Sequence, residues 1–271
     1  MLIIGELINC TRKRIGAAAE ARDAAVIRDV ARRQAAAGAH MIDVNGGIPG
    51  QEPETLRWLV QVVQDAVDLP LCLDSSDPDA IAGALPLCRT TPLVSSITEE
   101  PDRYDRILPL LLERAAPVVA LALGTDGTPT GVEDRVDNAA RLVDRLTEAG
   151  VPLERIYVDP CVVPISVGGE QALAVAEAIT RILARYPGVH TTVGLSNVSF
   201  GLPARKLLNQ TLLGLLLSRG LDSAIADPCD RQLMALVAAA EALLGRDDFC
   251  VEYIRAFREG RLEPLPVPAT A

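Results

Sequence analysis

A single barrel of eight parallel β/α units, (β/α)8, is the fold this sequence predicts. Three observations point to it. Eight apolar runs stop in order at Glu6, Asp43, Asp74, Ser95, Leu123, Asp159, Ser196 and Asp227, at intervals of 21 to 37 residues. That is the rhythm of a strand followed by a helix. The runs are nearly continuous rather than alternating, as expected of parallel strands covered on both faces. The chain has 271 residues, close to the roughly 250 typical of one such barrel. A doubly wound open sheet competes, but eight units without a Gly-rich nucleotide turn favour the closed form.

The elements follow in order. LIIGE opens the chain as the first strand. Asp23 is placed to cap a helix in which Val26, Ile27, Val30 and Ala31 recur at helical spacing, and Gly38 stops it. HMIDVN is the second strand, followed by a helix over about Leu56 to Val67 with Leu59, Val60 and Val63 facing inward. LCLD is the third strand, and Asp77–Pro78 is a helix start. PLVSS and VVALALG follow as the fourth and fifth strands. Val136, Ala140, Val143 and Leu146 mark the next helix, which ends at Gly150. RIYVD, TTVGLSN and SAIAD complete the set. Residues 247–259 read as one more amphipathic helix, packing on the barrel or on a second subunit. The barrel domain is expected over residues 1–258, and 259–271, rich in proline, as a poorly ordered tail.

Composition narrows the function. With 49% hydrophobic but only 3% aromatic residues, the core must be built from Ala, Leu, Val and Ile. A net charge of −10 argues against binding a nucleic-acid backbone. No apolar stretch is long enough to span a membrane, and MLIIGE lacks the basic start of a signal peptide. Six cysteines without a CxxC pair read as reduced thiols in a cytoplasm, mostly small hydrophobes of the core. With only two histidines, His40 and His190, a Cys/His zinc site is poorly supported.

Active sites of parallel barrels form where strands end. The groups arriving there are the carboxylates of Glu6, Asp43, Asp74, Asp159 and Asp227, the amides of Asn9, Asn45 and Asn197, and the hydroxyls of Ser75, Ser95, Ser96 and Ser196. No Lys or Arg lies at a strand end, although Arg205 and Lys206 follow soon after the seventh. Such a rim suits a donor-rich neutral ligand rather than a phosphate. Each carboxylate also has a structural reading, because Asp at a strand end caps a following helix. Asp77 is free to cap in place of Asp74. Asp159 precedes a proline loop and not a helix, and Asn197 is the residue a cap explains least. Asp43 and Asn45 also suit bracing of the Gly46–Gly47 turn. His190 and Trp58 read as structural.

The motifs MLIIGELIN, IDVNGG, PLCLDSSDPDAI, IYVDPCVVP, VGLSNVSFG and LDSAIADPCD occur in this order from residue 1 to about 258. Together they resemble the methyltetrahydrofolate:corrinoid protein methyltransferases, whose fold is a pterin-binding TIM barrel. The resemblance implies an enzyme that moves a methyl group between N5 of tetrahydrofolate and the cobalt of a corrinoid, a cobalamin-type cofactor carried on a separate protein. It implies that Asp74 and Asp159 hold the pterin, that Asn197 works at N5, with Asp159 also catalytic, and that Gly194, Ser196 and Arg205 line the folate pocket. Glu6, Asn9, Asp43 and Asn45 stand as further neighbours of the ligand. Tetrahydrofolate and methyltetrahydrofolate are then substrates, no bound metal is expected, and members of the family are commonly homodimers. Ser95 departs from the pattern, in which an Asn of the fourth strand contacts the pterin. Serine still donates and accepts, but it is shorter and needs a bridging water.

Two related readings compete. A dihydropteroate synthase handles a pterin pyrophosphate and needs cations at the seventh strand, where this chain has LSNVS. A folate-binding subunit without catalysis has only the Ser95 departure in its favour. A metal-dependent aldolase-type barrel, with Asp43, Asp74 and Asp159 as ligands, is weaker still.

Overall fold

The computed structural model describes residues 1–125 and 127–262. Eight strands form one parallel sheet: β1 (Leu2–Asn9), β2 (Met41–Asn45), β3 (Leu71–Asp74), β4 (Leu93–Ile97), β5 (Val118–Leu121), β6 (Ile156–Asp159), β7 (His190–Thr191) and β8 (Ser223–Ala226). Their order is β7-β6-β5-β4-β3-β2-β1-β8. β7 has two residues and leaves the seam to single contacts: Gly194 bridges to Ile225, whose N–H donates to the Val193 carbonyl at 2.9 Å. The expected (β/α)8 barrel is therefore present.

Helices fill the intervals: α1 (Lys13–Glu20), α2 (Ala24–Ala36), α3 (Glu52–Gln64), α4 (Pro78–Ala84), α5 (Pro101–Arg114), α6 (Val132–Glu148), α7 (Gln171–Arg185), α8 (Arg205–Leu217), α9 (Arg231–Leu243) and α10 (Val251–Arg258). Asp23 caps α2 by accepting from the N–H groups of Ala25 and Val26, and Asp77 caps α4 through Asp79. α3 starts and stops earlier than its apolar period implies, because Glu52, Pro53 and Glu54 supply a polar first turn. Gly38 and Gly150 leave α2 and α6 with φ of +96°, a conformation that costs glycine least.

Three apolar clusters result. The largest lies between strands and helices, with Ile8, Val44, Leu59, Ile97, Val118 and Leu142 fully buried. A second packs Ile179 of α7 and Leu213 and Leu216 of α8 against Ala224 and Ala226 of β8. The smallest fills the barrel with Ile4, Cys72, Leu93 and Val119, beneath the polar rim. This interior layer follows from register: Asp43 pairs with Cys72, Cys72 with Leu93, Asn45 with Asp74, and Asp74 with Ser95. On β3 and β4 the side chains of the inward parity thus change from apolar (Cys72, Leu93) to polar (Asp74, Ser95) towards the strand end, while β5 keeps an apolar residue there, Leu121. Most of the proline-rich tail expected from the sequence, residues 263–271, lies outside the described residues. Among the described residues no helix is long and apolar enough to cross a membrane, and all six cysteines are free thiols.

Candidate active site

The rim is built around Asp74, the last residue of β3. Asn45, in register on β2, donates its Nδ2 to Asp74 Oδ2 at 2.6 Å. The Asn45 side-chain Oδ1 in turn accepts from the Gly47 N–H at 2.9 Å. Asn45 therefore both braces the turn and orients the carboxylate. Asp74 lines a cavity of about 510 Å³ together with Asn45, Ser75, Ser76, Ser96, Arg103 and Leu121.

Asp43 lies deeper than a strand end. It sits mid-strand in β2, almost wholly buried, and its Oδ1 has no partner among the described residues. Burial, then the nearby Asp74 charge, push its carboxyl well above the usual range. Burial raises Asp74 as well, while Asn45 and Arg103 pull it back. Of the two, Asp43 is pushed up the further. Ser95 is buried in register with Asp74.

Asp159 ends β6, in register with Leu121, and is buried. Its Oδ1 accepts from the Cys161 N–H at 2.8 Å. Burial pushes its carboxyl up to about 6 against the opposing pull of the Cys161 and Gly194 N–H groups and of Arg135. No cation pairs with it directly among the described residues.

The seventh segment differs from its sequence reading. TTVGLSN does not run on as a strand to Ser196; β7 stops at Thr191, and Leu195–Ser199 forms a 3-10 turn. The turn brings Ser196 Oγ within 2.9 Å of Glu6 Oε1. It leaves Asn197 exposed, its side chain over Gly194, with no side-chain hydrogen bond to another described residue. A Cβ at Gly194 would sit 2.9 Å from Asn197 Nδ2, so glycine there makes room for the amide. Arg205 braces this turn, donating to the Ser196 carbonyl at 2.7 Å and to Ser199 Oγ at 3.1 Å.

Glu6 lies within β1 rather than at its end, which continues to Asn9. It holds Arg12 at 2.5 Å, and its carboxyl is raised by burial, the main effect, against Arg12 and Ser196. A smaller cavity of about 140 Å³ joins Glu6, Arg12, Ser196, Arg205 and Asp227. In strand order Asp159 stands between the two cavities. Asn9 turns its Oδ1 to the N–H and hydroxyl of Thr11, and Asp227 turns its own to the Cys229 N–H. Both brace loops.

No arginine stands at a strand end, as the sequence indicates, but two helices bring arginines beneath the rim. Arg103 of α5 and Arg135 of α6 are both buried and reach under the strand ends. Arg103 donates to the carbonyls of Ser96, Ser76 and Ser75 at 2.7 to 2.8 Å. Arg135 holds the carbonyls of Gly131 and Cys161. Strand ends alone did not reveal them, but each falls on its helix's buried stripe, Arg103 with Ile107 and Leu111, Arg135 with Ala139 and Leu142. A charge on an apolar stripe was the available signal. Outside the rim, Trp58 packs under the Arg22 guanidinium, and His190 stacks on Tyr157 and meets Asp222 at 2.6 Å. Among the described residues no group of three or more His, Cys, Asp and Glu is arranged to hold a metal ion.

Asp74 lining a cavity, Asp159 buried at the neighbouring strand end and Asn197 with its amide without a partner among the described residues suit a ring that carries several N–H donors. Comparison with known proteins agrees. A family model described as pterin binding enzyme matches residues 5–245. A methylcorrinoid:tetrahydrofolate methyltransferase of Eubacterium limosum is 41% identical over 269 residues, 98% of this chain and 99% of that protein. A methionine synthase of Mycobacterium tuberculosis is 31% identical over 83% of this chain, which spans 20% of that longer protein. A solved dihydropteroate synthase of Thermus thermophilus superposes with a TM-score of 0.69 at 19% identity, over 89% of this chain and 94% of that one. At that identity the likeness is one of fold.

Proposed function

This chain belongs to the pterin-binding enzyme family, and we propose that it transfers a methyl group between the cobalt of a corrinoid and N5 of tetrahydrofolate. The observation that carries this reading is the methyltransferase relative that matches from end to end. The chain is an enzyme, and its substrates are a folate and a methylcorrinoid.

The residues supply a mechanism. Asp74 and Asp159 accept hydrogen bonds from the pterin amino and ring N–H groups. The N5 lone pair takes the methyl as a cation, while the electron pair of the broken cobalt–carbon bond stays with the corrinoid. Positive charge therefore builds at N5, which still carries its hydrogen. The Asn197 amide oxygen accepts from that N–H as the charge develops. Asp159 stays hydrogen-bonded to the pterin throughout, and the N5 proton leaves to solvent water at the open rim beside the Asn197 amide. In reverse, the water and the amide support the proton that makes N5 a leaving group.

The corrinoid is carried on a partner protein that docks on the open rim, and the enzyme works in the cytoplasm, as six unpaired thiols favour. Residues 1–258 form the catalytic domain. A homodimer is supported by the outer face of α9 and α10. Leu243 is 87% and Phe249 94% exposed, with Val251, Ile254 and Phe257 beside them. Apolar groups this exposed mark an interaction surface.

The test is direct. The protein is mixed with methylcobalamin and tetrahydrofolate, and separately with reduced cobalamin and methyltetrahydrofolate, and the absorbance of the corrinoid is followed. Catalysed change in both mixtures is expected. Binding of folate without any change at cobalt, also with reduced corrinoid proteins as partners, overturns the assignment.

A further inference from the structure

Arg135 is wholly buried at the start of α6, yet it makes no ion pair with a carboxylate among the described residues. Its guanidinium donates instead to the Gly131 carbonyl at 2.9 Å, the Cys161 carbonyl at 3.2 Å and Gln171 Oε1 at 2.7 Å. Gln171, the first residue of α7, reaches back to the Thr130 carbonyl at 3.3 Å. The loops after β5 and β6 and the start of α7 thus meet on one cation.

Cys161 is the joint in this arrangement. Its φ is +60°, in the left-handed region that non-glycine residues rarely occupy. Its carbonyl is gripped by Arg135, and its N–H donates to Asp159 Oδ1 at 2.8 Å. One peptide unit on each side of Cys161 therefore connects a buried cation to a buried carboxylate. The cation also acts on Asp159 through space.

We propose that Arg135 is a positioning residue for Asp159: it locks the left-handed turn whose amide holds the carboxylate, and it supplies the buried positive charge that keeps that carboxylate ionised. Arg103 is placed comparably beside Asp74, stitched to the backbone carbonyls of Ser75, Ser76 and Ser96. A guanidinium satisfied by carbonyls keeps its charge without covering the acceptor oxygens a ligand needs. That Asp159 meets a pterin rests on the function proposed above; that Arg135 governs its carboxyl does not.

The other ionisable groups acting on this pair are the Cys161 thiol, pushed up by burial, and Asp134 of α6, lowered by its hydrogen bonds to Thr130. Gly131, Gln171 and Gly194 meet the pair with uncharged groups. The Asp159 carboxyl is followed by carbon-13 NMR against pH in the ligand-free protein, with Asp159→Asn as the assignment control. A midpoint of about 6 is expected for the parent. Arg135→Met is expected to raise it by about one pH unit, since a nearby cation is lost. Arg135→Lys is expected to return it toward the parent value. Tetrahydrofolate affinity at neutral pH is expected to fall about twofold in the Met variant, as the ionised fraction of Asp159 falls by about half, and to recover in part with Lys.

An unchanged midpoint in folded Arg135→Met overturns the proposal. If circular dichroism shows that variant unfolded, Gln171→Leu, which frees one arm of the guanidinium, is read in its place, with a smaller rise expected and an unchanged midpoint again overturning. A midpoint that moves in a protein unable to bind tetrahydrofolate removes the folate reading and leaves the role of Arg135 standing.

Discussion

Asn45 donates to Asp74 Oδ2 at 2.6 Å across the β2–β3 register, while the amide's other end holds the turn at Gly47. Asp74 Oδ1 takes no hydrogen bond from another described residue. Asn45→Ala is expected to weaken tetrahydrofolate binding about tenfold, the cost of about one charge-assisted hydrogen bond and of a less fixed carboxylate. Titration calorimetry reads it directly. Affinity equal to that of the parent would mean that Asp74 is oriented from elsewhere.

Asn197 carries a different prediction because its amide is unengaged in the ligand-free site. Asn197→Ala is expected to lower methyl transfer by roughly 2–4 kcal/mol of transition-state stabilisation, with a much smaller loss of folate affinity. Single-turnover rates and dissociation constants separate the two. Equal losses in both would make Asn197 a binding residue alone.

Asp159 gives two pH slopes of opposite sign. Its carboxyl moves from 3.8 to about 6 on folding, so the folded chain holds that proton more tightly than the unfolded one. The associated stability is fully present below 3.8 and is lost as pH rises to about 6. Above that window the ionised group costs about 3 kcal/mol. Asp159→Asn is therefore expected to raise Tm at pH 7 and to match the parent near pH 4, by calorimetry. Ligand binding runs the other way: it needs the carboxylate and is expected to weaken as pH falls below about 6. A less stable Asn variant at neutral pH would contradict the first slope.

The exposed aromatic residues at the chain's far end make the oligomer testable. Phe249→Asp combined with Phe257→Asp is expected to convert a dimer to a monomer in analytical ultracentrifugation, with the far-ultraviolet dichroism unchanged. A parent protein that sediments as a monomer removes the dimer.

Much of this site was legible because parallel strands put their last inward residue on one rim. Asp74 and Asp159 fell there from the apolar runs LCLD and IYVD alone. The alternation inside a strand was harder to see. Asp43 and Glu6 terminate apolar runs in the sequence, yet each lies inside its strand, since the polar residues beyond them still pair. The 3-10 turn at Leu195–Ser199 was hidden because the apolar residues Val193 and Leu195 just before and at its start read as the continuation of the strand. Asn9 and Asp227 each also turn one oxygen to an adjacent N–H group, local turn bonding that the apolar runs do not show. Arg103 and Arg135 escaped because they come from helices.

The thin seam beside β7 has a consequence for motion. A closed sheet breathes where fewest rungs hold it, and here the Ile225 amide is the rung between Val193 and β8. Its hydrogen is expected to exchange with deuterium sooner than those of β3 or β4. The turn bearing Asn197 hangs from that same seam, so a barrel that parts there would carry the amide with it. Solvent exchange at one backbone nitrogen would then serve as a clock for how long the methyl-transfer geometry persists.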